Sequence, residues 1–152
     1  MMTNEDFKIK IAGLVPSAIF DETGEWLNVL VDFSFFRSMV QQLRSDNDTN
    51  LDYLFCLTCI DWKTHLTVVY HLSSAAFRHN IVVKVNLDRN NPEIETVCDI
   101  WRGAELFERE VYEMFGVTFL NHPDLRRLIL PDEWNGWPLR KDYEDPINMI
   151  KL

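Results

Sequence analysis

Three β-rich runs, Tyr53 to Ile60, His65 to Leu72 and Asn80 to Leu87, follow one another with only short polar breaks. A purely parallel, doubly wound sheet needs a crossover of a dozen or more residues between each pair of strands, and these breaks are too short to supply them. The runs are therefore the centre of a mixed sheet. Helical spacing surrounds them. Phe7, Ile11 and Leu14 recur at i, i+4 and i+7 and predict a short helix ending before Pro16. Ser17 to Phe20 and Trp26 to Val31 flank DETGE, whose Gly24 supplies turn geometry for a hairpin. Phe36, Met39, Val40 and Leu43 predict a helix to about Arg44 with Ser34 as its N-cap. Ala104 to Phe115 is helical again, with Phe107, Val111, Met114 and Phe115 on one arc and Gly116 as the stop. The fold class expected is α+β, a mixed β-sheet covered by helices.

With 47% hydrophobic residues in 152, the chain can close one core. Its net charge of -9 repels phosphate backbones and anionic lipid surfaces, which excludes nucleic acid as a natural partner. The N-terminus shows no basic stretch leading into an apolar one, and no apolar run approaches the ~20 residues that span a bilayer. A cytoplasmic chain is expected, held at any membrane by other subunits. Cys56, Cys59 and Cys98 are an odd number that argues against a disulfide framework. Cys56 and Cys59 form a C-x-x-C, but three residues along a strand place them on opposite faces, so they read as strand cysteines and not as a redox or metal pair.

Beyond Gly116 the character changes. Pro123, Pro131, Pro138 and Pro146 leave no room for a long helix, while Phe119, Leu125, Leu128, Ile129, Leu130, Trp134 and Trp137 are too apolar for a solvated tail. This divides the chain into an α+β domain, 1–116, and an extended C-terminal arm, 117–152, docking on partner subunits.

The charges of EREVYEMFG pose the functional question. On a helical wheel Arg109 and Glu113 fall opposite the apolar arc and read as a solvated i, i+4 pair, while Glu105 and Glu108 meet the positive end of the helix dipole. Glu110 falls at the edge of the arc and is expected to be half-buried, pairing with Arg126 or Arg127, or with Arg140 or Lys141, to pin the arm. His122, beside Pro123, reads as a turn residue bonded to backbone. His65, His71 and His79 have no ligand spacing, and no nucleotide, zinc or nucleophile motif is present, so no catalytic, cofactor-binding or metal residue is expected.

The run WRGAELFEREVYEMFGVTFLNHPDLRRLILPDEWNGWPLRKDY, Trp101 to Tyr143, resembles the 30 kDa or C-type family of subunits in proton-translocating NADH-quinone oxidoreductase, respiratory complex I. The motif is Glu108-Arg109-Glu110 through Phe115-Gly116, then His122-Pro123-Asp124-Leu125-Arg126-Arg127, followed by Trp134, Arg140, Lys141 and Tyr143 as further positions of the family motif or of contact with neighbours. VVYHL, Val68 to Leu72, and DRNNPEIETVCDIW extend the likeness over about residues 50 to 145. Glu113 stands where the family usually has Asp, and Leu106 where it often has Trp. The resemblance implies an unfused peripheral-arm subunit without its own cofactor, beside the quinone-reducing module and against the D, B and I subunits. FMN and iron-sulfur clusters would belong to partner subunits, NADH and quinone would be substrates of the whole complex, and the chain would sit at the cytoplasmic face of the inner membrane. The alternatives are the equivalent subunit of an energy-converting hydrogenase or cofactor F420-dependent dehydrogenase, a free-standing enzyme using the carboxylates with His122, and a thiol-redox protein built on Cys56 and Cys59.

Overall fold

The computed structural model describes residues 2–150. Helix α1, Asn4–Leu14, opens on a capping box in which Thr3 and Asp6 exchange side-chain to backbone hydrogen bonds. β1, Ile19–Asp21, and β2, Leu27–Val31, form the expected antiparallel hairpin. α2, Phe33–Ser45, follows, then three nine-residue strands: β3, Tyr53–Asp61; β4, His65–Ser73; and β5, Asn80–Asp88. Asp32, not Ser34, caps α2. The helix begins two residues earlier than expected, and the Asp32 carboxylate accepts from the Ser34 amide at 2.9 Å.

The sheet order is β1-β2-β5-β4-β3. β3, β4 and β5 meander antiparallel, whereas β2 lies parallel to β5, with Leu27 opposite Ile81 and Val31 opposite Val85. That mixed pairing follows from chain length: α2 and the β3–β4 hairpin lie between β2 and β5, more than enough to return the chain in the same direction. Alternate residues of the strands, such as Val29, Leu57, Val68, Tyr70 and Val83, join Phe7 and Ile11 of α1 and Phe36, Met39, Val40 and Leu43 of α2 in one core. Cys59 belongs to this face. Cys56, opposite His71, projects from the other and is only half-buried, so the two thiols are separated as the strand period requires.

α3 runs from Ala104 to Phe115 and ends on Gly116, whose φ of 76° is left-handed. A second, two-stranded sheet was not anticipated: β6, Glu93–Glu95, lies parallel to β7, Thr118–Leu120. Between them Val97, Trp101 and Ala104 enter the core, and Val117 and Phe119 follow it in from the far side of α3. Trp101 is fixed by its indole N–H donating to the Leu51 carbonyl at 2.9 Å. From Asn121 onward the chain makes turns without regular structure.

Candidate functional site

α3 is buried on two sides. Val111 and Phe115 enter the core with Phe107, Tyr112 and Met114 partly buried beside them, as the wheel requires. The opposite side should then have been solvent, yet Arg109 is 7% exposed and Glu113 fully enclosed. Arg109 donates from Nε to the Arg126 carbonyl at 3.1 Å and from Nη2 to the Arg127 carbonyl at 2.9 Å. The Glu113 carboxylate accepts from the amides of Ile129, at 2.9 Å, and Leu130. The arm has folded back over the helix and is held there by its own main chain. Glu113 lies in the last turn of α3, where the helix dipole opposes a negative charge, so the two arm amides supply the positive partner the helix end withholds.

Glu110 does not act as the pin. It is exposed and forms no hydrogen bond or ion pair among the described residues. The expectation failed because the wheel assumed one buried face; once the arm covers the other, Glu113, opposite the apolar arc, is enclosed while Glu110 stays outside.

The end of α3 is closed by the same arm. A Cβ at Gly116 would come within 2.6 Å of the Trp137 indole, so the glycine serves both the left-handed turn and the close approach of that ring. The Arg127 guanidinium lies 5.0 Å over the Trp137 ring and donates to the Trp134 carbonyl at 2.8 Å. Arg140 Nε donates to the Phe115 carbonyl at 2.7 Å, and the Leu139 amide to that of Met114 at 3.0 Å. Two carbonyls that a helix end leaves without partners are thereby satisfied. Farther out, the Lys141 amide donates to Asp61 at 2.9 Å, and Arg89 bridges Asp61 and Asp142. The half-buried Arg89 guanidinium beside Asp61 holds the buried Asp61 carboxyl well below the usual carboxylate range. Tyr143 packs its ring against Gly136.

At the root of the arm a polar cluster is enclosed. Glu108 is fully buried and accepts from Thr96 Oγ1 at 2.5 Å, the Val97 amide at 2.8 Å and Cys98 Sγ at 3.2 Å. Burial pushes its carboxyl above the ordinary range despite those donors. His122 Nδ1 accepts from the Asp124 amide at 3.0 Å, so its Nε2–H donates to the Glu105 carbonyl at 3.1 Å, the backbone-bonded turn expected for it. The rest of the motif closes that turn: Asp124 pairs with Arg126, Leu125 packs partly on the core, and Pro123 stays exposed. Cys98, Thr96 and Arg89 were not singled out for this region. Only long-range folding brings them to it.

The motif residues thus fall into a structural group, Glu108, Arg109, Phe115, Gly116, His122, Arg127, Arg140, and the exposed or partly exposed side chains of the arm they hold. Leu128, Ile129 and Leu139 are exposed, Ile129 at 72%. Residues 29–146 match the model of the respiratory-chain NADH dehydrogenase 30 kDa subunit, and the chain belongs to that family. It is 46% identical over 114 residues to the C/D subunit of NADH-quinone oxidoreductase from Phocaeicola vulgatus, covering 74% of this chain and 22% of that protein. The C subunit of the same enzyme from Chloroherpeton thalassium is 42% identical over 104 residues, covering 67% and 43%. The chain thus spans less than half the length of these relatives. Among solved structures, a trypsin-resistant fragment of Nqo5 shares the fold, with a TM-score of 0.66 and 24% identity over 80% of this chain and 97% of that one. A chain of the membrane-bound sulfane sulfur reductase, an archaeal respiratory membrane complex, reaches 0.77 at 26% identity over 92% and 85%. No helix among the described residues is long and apolar enough to cross a membrane.

Proposed function

We propose that this chain is a structural subunit of the peripheral arm of NADH-quinone oxidoreductase, positioning its neighbours beside the quinone-reducing module and not catalysing a reaction itself. Its partners are the D, B and I subunits, its arm is the surface that meets them, and the assembly lies at the cytoplasmic face of the membrane. FMN and iron-sulfur clusters reside in partner subunits, NADH and quinone are substrates of the complex, and electron transfer is coupled there to proton translocation. The observation that carries the reading is the division of labour in the arm: Arg109 and Glu113 hold its main chain while Leu128, Ile129 and Leu139 turn outward. Docking surfaces are built this way, with ordered backbone and apolar anchors ready before the partner arrives.

The test is affinity purification of the tagged chain from native membranes in mild detergent, with the co-eluting chains identified and NADH:quinone reductase assayed. Co-elution with the D, B and I subunits and that activity is expected. Recovery as a lone monomer would overturn the assignment. The likeness to a chain of a sulfane sulfur reductase complex favours one alternative, the equivalent subunit of a related respiratory complex with another electron donor. Recovery of other electron-input subunits in place of NADH-oxidising ones would establish it.

A further inference from the structure

Residues 98, 108 and 122 have no metal-ligand spacing in sequence, yet the fold gathers a thiol, a carboxylate and an imidazole into one cluster. Their ligand atoms all lie within 4.8 Å of one another. Cys98 Sγ is 3.2 Å from Glu108 Oε2, and His122 Nε2 is 3.8 Å from the same oxygen. Ligands bound tetrahedrally to zinc stand roughly 3.3–3.8 Å apart, as follows from its bond lengths. Two of the three separations lie at the ends of that range before any ion is present, and the third, thiol to imidazole, falls within 4.8 Å. One thiolate and one carboxylate would neutralise a divalent charge, and sulfur with imidazole selects a borderline-soft cation over magnesium or calcium.

Two further observations point to a ligand. The Tyr70 hydroxyl is fully buried and has no hydrogen-bond partner among the described residues, and Glu108, Cys59 and Cys98 are the groups acting on it. An orphaned buried hydroxyl is uncommon in a native fold and calls for a water or ion nearby. Cys98 also opens onto a surface pocket lined by Glu95, Asp99 and Glu105 beside Arg37, which gives a cation an entry path with an excess of negative charge.

We propose that Cys98, Glu108 and His122 form a binding site for a thiophilic divalent cation of the zinc class, with a fourth position open to the pocket for water. Binding replaces the Cys98 S–H bond with a metal–sulfur bond and releases that proton to solvent. The His122 proton moves from Nε2 to Nδ1, which breaks the bond to the Glu105 carbonyl, frees Nε2 for the metal and turns the Asp124 amide away. Filled, the site would fasten the strand-to-helix segment, α3 and the first turn of the arm to a single ion.

The test titrates the purified full-length chain with Zn2+ and, separately, with Co2+. Expected are one equivalent bound with proton release, and with Co2+ a thiolate charge-transfer band together with the intense visible bands of a tetrahedral site. The Cys56→Ser/Cys59→Ser chain, whose one remaining thiol is Cys98, keeps that spectrum. Cys98→Ser loses the charge-transfer band, and His122→Asn weakens Zn2+ binding by at least about tenfold, with circular dichroism reporting that each is folded. Absence of the charge-transfer band in the wild-type chain overturns the proposal whether or not any variant folds. So does its disappearance from a folded Cys56→Ser/Cys59→Ser chain or its survival in Cys98→Ser.

Discussion

Glu113→Ala isolates the clamp. The substitution removes the acceptor of two arm amides, those of Ile129 and Leu130, without touching the apolar arc of α3. Hydrogen bonds to a charged group contribute about 1.5–3 kcal/mol each, and both amides are only partly buried, so the lower end applies and the arm should lose about 3 kcal/mol. If the arm opens as a unit while the sheet stays folded, that loss multiplies its open population by roughly 150-fold. Trypsin reports it directly, because Arg126, Arg127, Arg140 and Lys141 all lie in the arm. When reclosing is faster than cleavage, the cut rate follows the open population and should rise by a similar factor. Glu110→Gln is the matched control and should leave the rate unchanged. A Glu113→Ala chain cut no faster than wild type, or a Glu110→Gln chain cut as fast as Glu113→Ala, would refute the reasoning.

Gly116→Ala meets two obstacles, a left-handed backbone costing about 1–2 kcal/mol and an indole already in the way costing about 1–3 kcal/mol. A fall in the thermal midpoint of roughly 5–15 °C is expected in a chain of this size, measured by calorimetry. Asp61 makes the fold acid-sensitive: its folded pKa is depressed by Arg89, so its contribution is present above the unfolded carboxylate value of about 3.9 and is lost as pH falls toward the folded one. Urea midpoints should therefore drop below about pH 4 in the wild type and drop less in Asp61→Asn, which is already weakened at neutral pH. Ile129→Arg and Leu139→Arg change outward-facing side chains, so thermal stability should move by no more than about 0.5 kcal/mol. Recovery of partner subunits with the tagged chain should fall sharply. Full recovery with both variants would mean that the arm is not the docking surface.

The three helices and the three long strands were legible because each runs over a stretch long enough to read, and the short β1–β2 hairpin because DETGE marks its turn. Phe36, Met39, Val40 and Leu43 announce α2, and the β-rich runs of β3 to β5, parted by short polar breaks, announce the sheet. β6 and β7 were not, since each is three residues long and gains its hydrogen bonds only from a partner over twenty residues away. The site was legible as a motif and misread as geometry. Arg109 and Glu113 look solvated from within α3, and nothing local to the helix says that residues 126 to 130 will return to cover them. A weak signal did exist: a segment too apolar to be solvated must lie on something, and the nearest unclaimed surface was the polar side of the preceding helix. Glu108 shows the same limit. Its donors, Thr96, Val97 and Cys98, precede it by about three helical turns in sequence and meet it only after the chain has reversed.

That the clamp grips carbonyls and amides has an evolutionary consequence. Arg109 and Glu113 recognise groups that every residue but proline carries, so residues 126 and 128 to 130 can exchange side chains without loosening their seat, while the Arg127 side chain stays committed to Trp137 and the Trp134 carbonyl. The outward surface can then drift in step with whichever neighbour it meets, while the fold records none of the change. A single scaffold could thus follow diverging assemblies, its retention and its specificity written in different atoms of the same short segment.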